Sequence, residues 1–141
     1  MAASRGKRPI SPTPSRPKSE VAIRRARPGE AGALAAIAER AFAPYVPLIG
    51  RRPMPMDEDY AAAALRGDAL VAVADGTIVG LATFSAAPPV AELTTVAVLP
   101  ERQGEGIGPL LVAAVGARAR AAGARRIALY TNVKRTANVP L

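Results

Sequence analysis

Neither cysteine nor histidine occurs in the 141-residue chain. Without cysteine there is no disulfide framework, thiolate nucleophile or sulfur-ligated metal. Without histidine, His-based metal sites, Ser-His-Asp triads and the commonest general base are all excluded. Ser85 is the only serine beyond residue 19. A hydrolase or a ping-pong transferase is therefore not expected, whereas a reaction that needs only a carboxylate and backbone donors survives. Tryptophan is absent too, and aromatics make up 4% of a chain that is 50% hydrophobic, so a core must be built from Ala, Val, Leu and Ile. No apolar run approaches the length of a membrane span. The N-terminus has no hydrophobic signal core, so export is not indicated and a cytoplasmic location is expected.

The formal charge is +8, and half of that excess lies in residues 1–20. Residues 1–19 carry four prolines and four serines with no packing pattern. They read as a disordered basic tail, either an arm for nucleic acid or targeting, or a dispensable extension. The remainder, 20–141, suits one domain. Its mild positive charge fits a polyanionic ligand, and with so few aromatics nucleic acid is not expected as a partner.

Val21-Ala22-Ile23-Arg24 reads as a first strand. Pro28-Gly29-Glu30 opens a helix to about Phe42, with Leu34, Ile37, Ala38 and Ala41 inward. Four prolines and a glycine between Pro44 and Met56 argue against regular structure there. Asp57-Glu58-Asp59 then begins a second helix, running to about Leu65. An acidic cluster raises a metal site, but an N-cap with acids in the first turn accounts for it better, and no metal is expected. Asp75-Gly76, between Ala69–Ala74 and Ile78–Phe84, is a tight hairpin signal. A strand carrying Glu92 follows, and a later strand, 126–131, joins it in parallel through a helical crossover.

The most informative stretch lies between those two strands. Glu92, Thr94, Val96 and Val98 alternate as a strand would, and Pro100 stops it. Gln103-Gly104-Glu105-Gly106-Ile107-Gly108 forms a turn, and a helix follows with Ile107, Leu110, Leu111, Ala114, Val115 and Ala119 inward. Gly123 stands where a C-cap glycine belongs. A glycine turn leading into a helix aims unpaired N–H groups and partial positive charge at one point, where phosphate is the usual guest. The dinucleotide fingerprint is excluded because Pro109 stands at its third glycine, and Gly108-Pro109-Leu110 is not the Gly-Lys-Ser/Thr of a P-loop.

Gln103-x-x-Gly106-x-Gly108, preceded by Val96-Ala97-Val98-Leu99-Pro100, closely resembles the acetyl-CoA motif of the GCN5-related N-acetyltransferase (GNAT) superfamily. The resemblance runs from about Val21 to the last residue. It implies an α/β acyl-CoA N-acyltransferase fold, a mixed central sheet flanked by helices, with acetyl-CoA as cosubstrate and a small-molecule or peptide amine as acceptor. It also implies that main-chain groups of Val96 and Val98 contact the pantetheine arm. The N–H groups of Gly104, Glu105, Gly106, Ile107 and Gly108 would hold the pyrophosphate, with Gln103 bracing the turn. In this reading the amine attacks the thioester directly, and a backbone N–H near Val96 stabilises the oxyanion. Glu92 is the candidate base, by an offset matching the histone-acetyltransferase branch and by a strand face shared with Val96; a half-exposed strand glutamate is the other reading. Arg51 and Arg52 could meet an anionic acceptor group or be solvated.

Two departures accompany the resemblance. Pro109 removes an N–H from the turn, which weakens cofactor binding. Residues 131–141 look like the run into the family's last helix, and the usual general-acid tyrosine would be residue 142. The resemblance thus implies a chain cut short with its last strands missing. Strand 126–131 would be left with an unpaired edge, a homodimer contact. The alternative reading is a truncated, catalytically weak or inactive remnant that binds CoA as a binding module.

Overall fold

In a computed structural model the chain is described over residues 20–131 and 134–140. The tail expected at 1–19 lies outside the described residues. Strand β1 (Val21–Arg25) leads through a 3-10 turn to helix α1 (Ala31–Phe42), whose buried face is Leu34, Ile37, Ala38 and Ala41, as its spacing predicts. Glu30 secures this entry by accepting the Arg27 N–H at 2.8 Å and two bonds from Arg24 at 3.0 and 2.6 Å. The Arg24 guanidinium, and then the Arg27 N–H, hold its carboxyl down at about 2.

The stretch expected to be irregular contains short helical turns: 3-10 turns at Ala43–Tyr45 and Met54–Asp57, and α2 (Val46–Ile49) between them. Pro44, Pro47 and Pro55 each stand at the start of one of these turns, where a missing N–H costs nothing. Helix α3 (Tyr60–Arg66) begins three residues later than expected. Asp59 is its N-cap, accepting the Ala62 N–H at 3.0 Å, and Gly67 ends it in the left-handed region.

Asp75 and Gly76 both take positive φ, 53° and 76°, which suits the tight turn joining β2 (Ala69–Ala74) to β3 (Thr77–Ser85). Strand β4 (Val90–Val98), helix α4 (Ile107–Ala121), β5 (Arg126–Thr131) and β6 (Lys134–Pro140) complete the described residues. Sheet order follows chain order, β1 to β6; β4 and β5 are parallel and the other neighbours antiparallel. This is the mixed α/β sheet that the motif implied. Helix α4 covers one face through Ile107, Leu111, Val115 and Ala119, and α1 and α3 cover the other. Gly80 on β3 makes room for α4: a Cβ there would meet the Ala97 carbonyl at 3.1 Å and the Ile107 and Leu111 side chains at 3.3 Å. At the far end of α4, Gly123 N–H bonds the Arg120 carbonyl at 3.0 Å and Ala124 N–H bonds that of Ala119 at 3.0 Å. These are the two bonds of a Schellman stop around the expected glycine.

Two expectations need correction. Residues 134–140 do not lead into a helix; they form β6, antiparallel to β5. That pairing satisfies backbone groups which an edge strand would expose, so β5 supplies no bare edge for a homodimer. The second concerns β4. Its register against β3 shifts between the Thr83–Thr95 and Phe84–Leu93 pairs, leaving Thr94 as an extra, bulged residue. A bulge inverts the in–out parity beyond it. Ala91 and Leu93 pack with α4, and so do Val96 and Val98 beyond the bulge, whereas Ala97 joins the α1/α3 side. Glu92 therefore stands on the α1/α3 face and does not share a face with Val96.

Candidate functional site

The parallel pairing of β4 and β5 ends at Leu93 and Leu129, although both strands continue. Beyond this point β4 keeps its partner on one side only. The Leu99 N–H bonds the Val79 carbonyl at 2.9 Å, so Leu99 and Ala97 direct their main-chain groups toward β3. By alternation, the N–H and C=O of Val96 and Val98 point to the opposite, open edge. The bulge at Thr94 sits at the mouth of that opening.

After β4 the chain makes a 3-10 turn at Pro100–Arg102, then places Gly104 and Gly106 at φ 86°. Gly106 is the N-cap of α4, and the first helical bond runs from Leu110 N–H to its carbonyl at 3.3 Å. The N–H groups of Ile107 and Gly108 precede that bond, in the first turn where helix donors lack internal partners. Pro109 contributes none. A Cβ at Gly108 would meet nothing within 4 Å. Its backbone is helical, so neither φ nor packing demands a glycine there.

Side chains fix this turn from three directions. Gln103 Nε2 donates to the Val98 carbonyl at 3.1 Å, tying the turn to the strand. Arg102 Nε donates to Glu105 Oε1 at 2.9 Å, which pairs the one acidic charge within the glycine turn. Arg40 from α1 grips Glu101 with two bonds, 3.1 and 2.8 Å. The Arg40 hydrogen bonds hold the Glu101 carboxyl below the usual range. The sequence-nominated positions thus fall together: Val96 and Val98 on the open edge, Gln103 as a brace, and Gly104 to Gly108 around the helix start.

The α1/α3 face is less as expected. Arg52 is committed to Glu39 at 2.6 Å, Asp57 at 3.0 Å and the Met56 carbonyl at 3.2 Å, so it clasps α1 to the following loop instead of awaiting an anion. The acidic run also divides. Asp57 serves Arg52 and Asp59 caps α3, while Glu58 crosses to the sheet and accepts the Thr95 hydroxyl at 2.7 Å. Beside it Tyr60 is buried, donating to the Pro55 carbonyl at 2.5 Å. Burial, and then the nearby Glu58 charge, push its phenol above the ordinary range. Sequence reading missed Glu58 and Thr95 as a pair; 37 residues separate them, and no spacing rule connects them.

The family model for "Acetyltransferase (GNAT) family" matches residues 34–141, and the chain belongs to this family. A GNAT family acetyltransferase from Brucella melitensis, solved with acetyl-CoA, is 33% identical and superposes with a TM-score of 0.59 over 77% of this chain and 74% of that one. The PaiA N-acetyltransferase of Thermoplasma acidophilum, solved with coenzyme A, shares the fold at 20% identity and a TM-score of 0.70, covering 80% of this chain and 82% of that one. N-acetylglutamate synthase from Neisseria gonorrhoeae, with coenzyme A and N-acetyl-glutamate, does so at 22% identity and 0.59; 79% of this chain aligns, spanning 25% of that protein. A search of curated proteins gave no match. Among the described residues no helix is long and apolar enough to cross a membrane.

Proposed function

We propose that the domain, residues 20–141, is an N-acetyltransferase that moves an acetyl group from acetyl-CoA to a primary amine of a small molecule or peptide. The observation that carries this is Gly108: a glycine that neither backbone nor packing requires, beside the donors that start α4. A diphosphate needs that closeness to main-chain N–H groups. In this reading Gly104, Glu105, Gly106, Ile107 and Gly108 hold the diphosphate through main-chain groups, and Gln103 keeps the turn in place. The pantetheine arm pairs with Val96 and Val98 on the open edge, as an added strand would.

The arm's thioester then lies near the bulge. The amine nitrogen attacks its carbonyl carbon, the Val96 N–H receives the developing oxyanion, and the C–S bond breaks to release thiolate. Alignment of the two reactants supplies much of the rate. A carboxylate must take the amine's proton. The offset from the glycine turn nominates Glu92, which the bulge carries to the α1/α3 face, the side left for the acceptor. A cytoplasmic location, with acetyl-CoA at hand, belongs to this reading. The test is thermal shift with acetyl-CoA, followed by release of free CoA thiol with a panel of amines. Stabilisation with turnover is expected; stabilisation without turnover reduces the domain to a CoA-binding module, and no stabilisation overturns the proposal.

A further inference from the structure

Where the β4–β5 pair opens, Thr95 holds a carboxylate that the glycine spacing does not nominate. Glu92 is in register with Ala128, inside the stretch where the two strands are still paired. From there to Val96 the strand covers about 13 Å. Thr95, in contrast, is the immediate neighbour of Val96 and lies just past the bulge. Its hydroxyl is buried and donates to Glu58 at 2.7 Å. Glu58 itself is half-buried, and among the described residues no guanidinium pairs with it. A second polar group stands alongside: Thr83, directly opposite Thr95 in the ladder, is 1% exposed, and its hydroxyl has no hydrogen-bond partner among the described residues. Buried hydroxyls are normally paired, so an orphan at this place points to a polar ligand atom.

We infer that Glu58, and not Glu92, is the carboxylate that receives the acceptor amine's proton, with the Thr83 hydroxyl hydrogen-bonding the same amine. This rests on the acetyltransferase reading and changes the base within it. The amine's N–H bond breaks to Glu58 as the nitrogen–carbonyl bond forms, and the sulfur leaves with the electrons of the C–S bond. Thr95 is a positioning residue: its donated hydrogen bond holds the carboxylate at the bulge.

The test compares full-length wild type, E58Q, E92Q and T83V. Glutamine at 58 still accepts the Thr95 hydroxyl, so a purely structural Glu58 would tolerate it. Free CoA thiol is measured with acetyl-CoA and, in turn, L-glutamate, spermidine and a peptide with a free N-terminus; acetyl-CoA affinity is measured by calorimetry. General-base removal costs about 10²–10⁴-fold. E58Q is expected to lose about a hundredfold or more in kcat with acetyl-CoA affinity within about twofold, a larger loss in kcat than that of E92Q. T83V is expected to raise KM for the amine alone. E58Q turnover near wild type, or the large loss falling on E92Q, overturns the inference while leaving the acetyltransferase standing. Wild type that binds no acetyl-CoA, or turns over no amine, overturns that reading and this inference together.

Discussion

Replacing Gly108 by alanine should move stability and cofactor affinity in opposite directions. Gly108 lies in the first turn of α4 with a helical φ, and a Cβ there meets nothing within 4 Å. The substitution therefore adds no clash and removes backbone freedom from the unfolded chain, a gain of up to about 1 kcal/mol. For a domain of this size that corresponds to roughly 2–5 °C in Tm. The same methyl would stand over the donors that start α4, where the proposed function brings a diphosphate up to the main chain. Holding it off forfeits at least one hydrogen bond to a charged group, about 1.5–3 kcal/mol or tenfold to a hundredfold in Kd. A ligand at a hundred times its Kd stabilises by about 2.7 kcal/mol, and each tenfold weakening removes close to 1.4 kcal/mol of that. Thermal scans with and without saturating acetyl-CoA read both effects on one sample. The ligand-free variant should melt higher than wild type and gain less from acetyl-CoA. Equal gains would refute the reasoning, because the glycine would then have no bearing on the anion.

Further outcomes follow from other contacts. Gly80→Ala should destabilise by about 1–3 kcal/mol in urea unfolding, since its Cβ would press on the Ala97 carbonyl and on Ile107 and Leu111. Acetyl-CoA affinity should fall with it, because α4's first turn must shift; an unaffected Cm would mean the helix packs less closely. Tyr60→Phe leaves the buried Pro55 carbonyl without its donor and should cost about 1–3 kcal/mol. Chemical denaturation checks this, and a neutral result removes Tyr60 from the α3 anchor. Glu30 has a folded pKa of about 2 against an ordinary value near 4.5. Its contribution is complete above pH 4.5 and is lost as pH falls toward 2. Stability of Glu30→Gln should accordingly vary less with pH over that window, and a parallel profile would contradict the assignment.

Features that depend on neighbours in sequence were legible; those that depend on an extra residue or a distant partner were not. Asp75-Gly76 and Gly123 specify backbone conformations that few other residues adopt, so the hairpin and the end of α4 could be placed directly. The same holds for Gly104 and Gly106 in the turn before α4. The bulge at Thr94 left no such mark: the residues around it are β-branched on either parity, so alternation looked continuous while the face inverted. Glu92 was thereby assigned to the wrong side of the sheet. Strand β6 was read as a prelude to a helix because its register depends on β5's free edge and not on its own pattern. Glu58 was hidden inside a run that made sense as a helix cap, a role Asp59 fills by itself.

The most direct test of the account follows the backbone amides themselves as acetyl-CoA is added to 15N-labelled protein. Amide signals of Gly104, Glu105, Gly106, Ile107 and Gly108 should shift the most, accompanied by Val96 and Val98 on the open edge. Saturable shifts elsewhere with those resonances unmoved, or no shifts at all, would contradict it.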